Sequence, residues 1–386
     1  MAIPQGFRNV LGIATPVCGL VRNDRGVSKQ TDKSEFEKEI TMQIWQQPVF
    51  FERNRVFRVY LGGELYRSFL GDTDGDGFYP EEWIASSVRA INPGHTDPLE
   101  GISLVEGSKQ PFSELLAAHK TEMLGGCEDL GVLVKFLDSA IRLPMQVHPT
   151  REFSRKHFGS PYGKAEAWLI LATRPDACIY FGFKDQITAE EFSAAVEANK
   201  TDPNSQTGLV NRIEVKPGDV FFVPAGVIHA IGPGCMLLEA QEPTDFTIQP
   251  EYRCGEYELN EQEMYLGLSR ETALSCFDHS LYGEKVLQMG VKAPLLLESF
   301  DGVQVHELIG TKDTPCFAMT RYTCTGGSAK LTRGAAVYIV TQGEGELLGD
   351  GYSRSIKAGN YFFLPAEAKG FSIRGDVQFV CCQGGE

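Results

Sequence analysis

Two segments of this chain repeat one another, and the repeat limits the available folds more than any other feature. KPGDVFFVPAGVIHAI (216–231) and KAGNYFFLPAEAKGFSI (357–373) share Lys-x-Gly-[Asp/Asn]-x-Phe-Phe-[Val/Leu]-Pro-Ala at matched positions. Each copy reads as a turn, a strand ended by proline, and a second turn and strand. A further β-rich run precedes each copy, AEAWLILA (165–172) and AAVYIVTQGEGEL (335–347). Two copies of a short-strand, glycine-punctuated unit predict a mainly β chain of two jelly-roll barrels, which hide their strand edges by closing one sheet on another. Only the first copy keeps polar residues suited to chemistry, because Gly370 stands where the first copy has His229.

The rest of the chain is divided around that frame. VFRVYLGGEL (56–65), LVKFLD (133–138) and ACIYFGF (177–183) are rich in β-branched and aromatic residues and read as strands. A small helical insertion is expected at PFSELLAAHKTEML (111–124), and a second helix at TAEEFSAAVEANK (188–200), capped by Thr188. The expected domains are an N-terminal extension (1–42), a first barrel with helical insertions (43–254), a helical connector (255–294) and a degenerate second barrel (295–386).

Charge narrows the partners. The chain has 36 Lys plus Arg against 51 Asp plus Glu, a formal net charge of −15, so phosphate backbones and anionic lipid are poor partners. No apolar run approaches the ~20 residues that span a bilayer. The N-terminus reads as lacking a secretory signal, and ten scattered cysteines without a CxxC pair read as reduced thiols. A cytoplasmic protein with a small-molecule partner is expected. Nothing in the sequence fixes its oligomeric state.

Four residues are candidates to converge on one divalent ion. Gln146 and His148, two apart in LPMQVHP, share a face if that segment is extended. Glu166 opens EAWLILA, and His229 ends the GDVFFVPAGVIH turn. An amide oxygen, two imidazoles and a carboxylate suit zinc or another first-row ion with a position left open for substrate. The Asp/Gly-rich GDTDGDGFYPEE (71–82) lacks the glutamate that a calcium loop needs twelve residues from Asp72, and reads as a surface turn. Trp83 and Trp168 are expected in the core.

GDVFFVPAGVIH resembles the second motif of the cupin superfamily. Together with LPMQVHP, GKAEAWLI and LLEAQEPTD it resembles the type I mannose-6-phosphate isomerases, from about Gln43 to the C-terminus. The resemblance implies one metal ion, usually zinc, on Gln146, His148, Glu166 and His229. It also implies proton transfer between C1 and C2 of mannose 6-phosphate and fructose 6-phosphate through an enediol. Lys164 matches the family's active-site lysine in GK-x-E, and Lys135 stands where the family has a lysine upstream of Q-x-H. Each either moves a proton or neutralises a substrate anion. The chain departs from the pattern at three places. Gln249 replaces an arginine assigned to substrate handling or catalysis, Pro144 replaces a serine, and Leu61 replaces a tryptophan. Either the Gln249 amide alone serves the substrate, or Arg253 reaches the same space past Pro250. These departures keep two alternatives open: an isomerase of an unphosphorylated or differently decorated sugar, and a metal-bearing sugar-binding cupin without turnover.

Overall fold

A computed structural model describes residues 43–385. The expected extension at 1–42 lies outside the described residues.

The first half is built on a seven-stranded antiparallel sheet. Its order is Val291–Lys292, Val220–Val223, Glu166–Thr173, Cys235–Gln241, Leu133–Ser139, Glu81–Ile84 and Arg55–Val56. A three-stranded sheet, Val210–Glu214, Cys178–Phe183 and His229–Ile231, contributes to the same barrel. Side chains alternate across the larger sheet. Leu137, Trp168 and Leu237 pack with Ile179, Phe181 and Ala230 of the smaller sheet, in the barrel interior. Phe136, Leu169 and Leu238 point the other way and pack with Met319, Val337 and Phe363 of the second half. The sheet is therefore buried on both faces, which explains why these strands read as nearly continuous apolar runs.

The second half is an eight-stranded antiparallel sheet with its own core around Tyr338, Phe362, Phe371 and Phe379. Besides the Arg253–Cys254 and Tyr257–Glu258 ribbon at the 254/255 bound, strand pairing crosses the expected domain bounds at two distant places. Val49–Phe50 pairs with Phe362 and Phe363 of the second half. Val291–Lys292, at the end of the connector, pairs with Val220 and Phe221 of the first. The connector also holds three helices, Glu261–Tyr265, Arg270–Leu274 and Gly283–Gly290.

Two local expectations change. The 111–124 helix is two, Phe112–Ala118 and Lys120–Leu124, broken where His119 adopts φ −133° and ψ 43°. The strand expected over 56–65 survives only as Arg55–Val56. Beyond it the chain bends, because Gly62 presses against the Asp138 carbonyl and the Asp138 carboxylate accepts from the Gly63 and Leu65 amides at 2.8 and 2.9 Å. That bend lets Arg58 and Tyr60 line the cavity described below. The second helix matches its reading: Thr188 caps Ala189–Ala198 and Glu191 completes a capping box.

Candidate metal centre

Three of the four expected ligands converge. One ligand atom from each of His148, Glu166 and His229 lies within 4.8 Å of the others, and all three residues are buried. His148 Nε2 is 2.9 Å from Glu166 Oε2, and His229 Nε2 is 3.3 Å from Glu166 Oε1. Register explains the meeting: Glu166 pairs with Val223, just before the turn that carries the chain to His229. The backbone of Gln146 exchanges hydrogen bonds with that of His229, at 2.8 and 2.9 Å, and the Gln146 side chain lines the adjoining cavity.

The hydrogen bonding suits a cation. His148 Nδ1 lies 3.0 Å from the Phe246 carbonyl and His229 Nδ1 lies 2.9 Å from the Val227 carbonyl. A carbonyl only accepts, so each Nδ1 carries a proton and each Nε2 is left to face Glu166. Burial pushes His148 down to about 3 despite the neighbouring carboxylate, so its imidazole is neutral. Burial opposes ionisation of Glu166, and its contacts with His148 and Lys164 more than reverse that, holding the carboxyl well below the usual range. Glu166 Oε1 and His229 Nε2 are buried without a hydrogen-bond partner. Orphaned acceptors in a dry site are costly unless something fills them. Two imidazoles whose Nδ1 is held by a carbonyl, and a carboxylate with free lone pairs, fit a divalent ion.

The cluster adjoins a cavity that Gln146 and Lys164 line on its side. Charges alternate along its wall. Arg58 bonds both oxygens of Asp245, at 3.0 and 3.1 Å, and its Nε lies 3.0 Å from Glu81. Lys135 sits 3.4 Å from Glu81 and 3.2 Å from Glu239. Burial pushes Lys135 down, but Glu239 and Glu81 outweigh it and hold the ammonium above the usual lysine range. Burial likewise pushes Glu81 up, yet Arg58 and Lys135, with hydrogen bonds from Trp83 and Tyr60, hold it well below its usual range. For Glu239, burial and the nearby Glu166 charge win, and its carboxyl is raised. Trp83 and Trp168 are fully buried, as expected, and their indole N–H groups donate to Glu81 and Glu239 at 2.7 and 3.1 Å.

The remaining expected residues divide. Lys164 reaches the cluster, 2.6 Å from His148 Nε2 and 2.7 Å from Glu166 Oε2. Gln249 and Pro144 line the cavity, and Gln249 donates to the Glu263 carbonyl at 3.1 Å. Arg253 does not line it. The Glu251 carboxylate is pinned by Arg142 and the Met145 amide, at 2.8 and 2.7 Å, and the chain then turns into the Arg253–Cys254 and Tyr257–Glu258 ribbon. Arg253 pairs with Glu258 on the surface instead. Arg58, Glu81, Glu239 and Asp245 were not anticipated from sequence. The available signal was a lone acid or base inside a buried apolar strand, as in MLLEAQ (236–241) and LVKFLD, whose pairing sets Glu239 opposite Lys135.

Fold and site together define a double-barrel β protein with a buried His-Glu-His centre opening on a polar cavity. Comparison with known proteins places it more closely. The chain is 30% identical over 276 residues to mannose-6-phosphate isomerase ManA of Bacillus subtilis, covering 70% of this chain and 80% of that protein. It is 27% identical over 350 residues to mannose-6-phosphate isomerase of Streptococcus mutans, covering 88% and 99%. No protein-family model matches it. The crystal structure of the mannose 6-phosphate isomerase from Bacillus subtilis superposes with a TM-score of 0.71 at 23% identity, covering 88% of this chain and all of that one. A mannose 6-phosphate isomerase bound with zinc and yttrium shares the fold, with a TM-score of 0.65 at 14% identity. The chain belongs to the mannose-6-phosphate isomerase family.

Proposed function

We propose that this chain interconverts mannose 6-phosphate and fructose 6-phosphate, with one zinc ion held by Gln146, His148, Glu166 and His229. The observation that carries this reading is the buried His148–Glu166–His229 cluster, with two orphaned ligand atoms, beside a cavity lined by charged and polar side chains. The bound ion supplies Lewis-acid stabilisation for negative charge on the sugar oxygens.

The chain's own groups supply the rest. Isomerisation moves a proton between neighbouring carbons, which needs a cavity group that takes it up and returns it. Lys135 is held as an ammonium beside Glu81 and Glu239 and acts through its charge. Glu239, whose carboxyl burial raises, is the cavity acid suited to taking the proton and returning it. Arg58 fixes Glu81 and Asp245 in the cavity wall. The chain from 43 to 254 carries the site, 255–294 links the halves, and 295–386 serves as scaffold. Nine cysteines are free among the described residues, which supports a reducing, cytoplasmic setting.

One observation favours a second reading. The guanidinium of Arg58 and the ammonium of Lys135 are already paired with carboxylates, as an uncharged sugar would permit. The test is an isomerase assay on mannose 6-phosphate and on mannose, with chelator and then with zinc restored. Turnover of the phosphorylated sugar that chelator abolishes and zinc returns is expected. Turnover of mannose alone would select the second reading, and turnover of neither would overturn both.

A further inference from the structure

The Lys164 ammonium stands at the place a metal ion would be felt most strongly. It donates to His148 Nε2 at 2.6 Å and to Glu166 Oε2 at 2.7 Å, donor atoms of two residues assigned above to the ion. One lone pair cannot serve both cations, and like charges at that separation repel strongly in a buried site. The backbone around Lys164 is fixed on both sides. The Gly163 and Ala165 amides donate to Glu242 at 3.3 and 3.0 Å, Thr244 donates to the Gly163 carbonyl at 2.6 Å, and the Lys164 amide donates to the Pro149 carbonyl at 3.0 Å. Only the side chain is free to yield, toward the cavity it already lines.

We propose that Lys164 is a resident counter-cation, which neutralises Glu166 in the metal-free protein and is released into the cavity when the ion binds. Three consequences follow from charge alone. The buried Glu166 carboxylate always has a cation beside it, so the metal-free protein avoids an uncompensated buried charge. Metal binding competes with an internal ammonium, which weakens it. The released Lys164 becomes the cavity cation without a fixed carboxylate, since Arg58 and Lys135 keep theirs. A sugar phosphate therefore gains its partner after the metal is in place, which makes metal first and sugar second the productive order. This inference rests on the metal and sugar-phosphate reading above.

The experiment measures zinc affinity of metal-free wild type and Lys164→Gln by chelator competition. It also follows reductive methylation of Lys164 in wild type, by peptide mass spectrometry, with and without zinc. Lys164→Gln should bind zinc at least tenfold tighter than wild type, and its metal-free form should melt at a lower temperature. Zinc should speed methylation of Lys164 in wild type, a readout that stands even if the variant fails to fold. Equal or weaker zinc binding by the variant, or a Lys164 that zinc leaves no more reactive, would overturn the proposal while leaving the metal site standing. A wild type that binds no zinc would overturn both.

Discussion

Glu81 shows how a single buried carboxylate holds the cavity wall together. It accepts from Tyr60 and Trp83 and pairs with Arg58 and Lys135. Its folded-state proton affinity is depressed, so its contribution to stability is complete above the ordinary glutamate pKa of ~4.3 and is lost as pH falls through the lower folded value. Glu81→Gln should cost about 3 kcal/mol at pH 7, the lower end for breaking a buried ion pair, because Arg58 keeps Asp245 and Lys135 keeps Glu239. The gap between variant and wild type should be constant above about pH 5 and should shrink below about pH 4. Urea denaturation at several pH values measures it, and a gap that widens in acid would contradict the assignment. Glu239 makes a separate kinetic prediction. Glu239→Gln should lower kcat for mannose 6-phosphate by roughly 10²–10⁴, the range for losing a general acid–base group, with a smaller change in KM. An unchanged kcat in steady-state assays would remove Glu239 from the proton path.

At the scale of elements, the segment after Val56 decides whether the cavity has a second wall. A Cβ at Gly62 would lie 1.7 Å from the Asp138 carbonyl oxygen, so no side chain is tolerated without moving one of the two segments. Gly62→Ala should therefore destabilise the protein by about 3 kcal/mol, the upper end of overpacking costs, and should weaken substrate binding because Arg58 and Tyr60 lie just before the bend. Thermal denaturation and KM on the same variant check this together. That bend was not legible in the sequence. VFRVYLGGEL has the β-branched and aromatic texture of a strand, and what overrides it is Asp138, more than 70 residues away. The strands at 133–139, 166–173 and 178–183 were legible because both of their faces are buried and their apolar runs leave no other reading. His148 was legible from its spacing from Gln146, and His229 from the fixed turns of its motif. Arg58 and Asp245 meet only through tertiary contact, across 187 residues, and no local pattern marks them. Of the two alternatives left open, Arg253 is the one the fold does not support, because the anchoring of Glu251 two residues earlier redirects the chain.

At the scale of the whole molecule, the two halves share one interface core and exchange strand edges. Phe136, Leu169 and Leu238 of the first half are covered by Met319, Val337 and Phe363 of the second. Tyr361 donates to buried Glu82, whose neighbour Glu81 faces the cavity from the other side of the same strand. The repeat in the sequence announced two barrels, and the apolar character of the first sheet that the second covers one of its faces. A chain truncated after residue 294 should expose that apolar sheet face and aggregate rather than fold. A soluble truncated protein with a cooperative melt would contradict it. The central claim is that the first barrel holds one divalent ion on His148, Glu166 and His229. Metal analysis by mass spectrometry of the purified wild type, His148→Ala and His229→Ala tests it most directly. One ion per chain in wild type and a near-complete loss in both variants is the predicted result; unchanged stoichiometry in the two variants would contradict it.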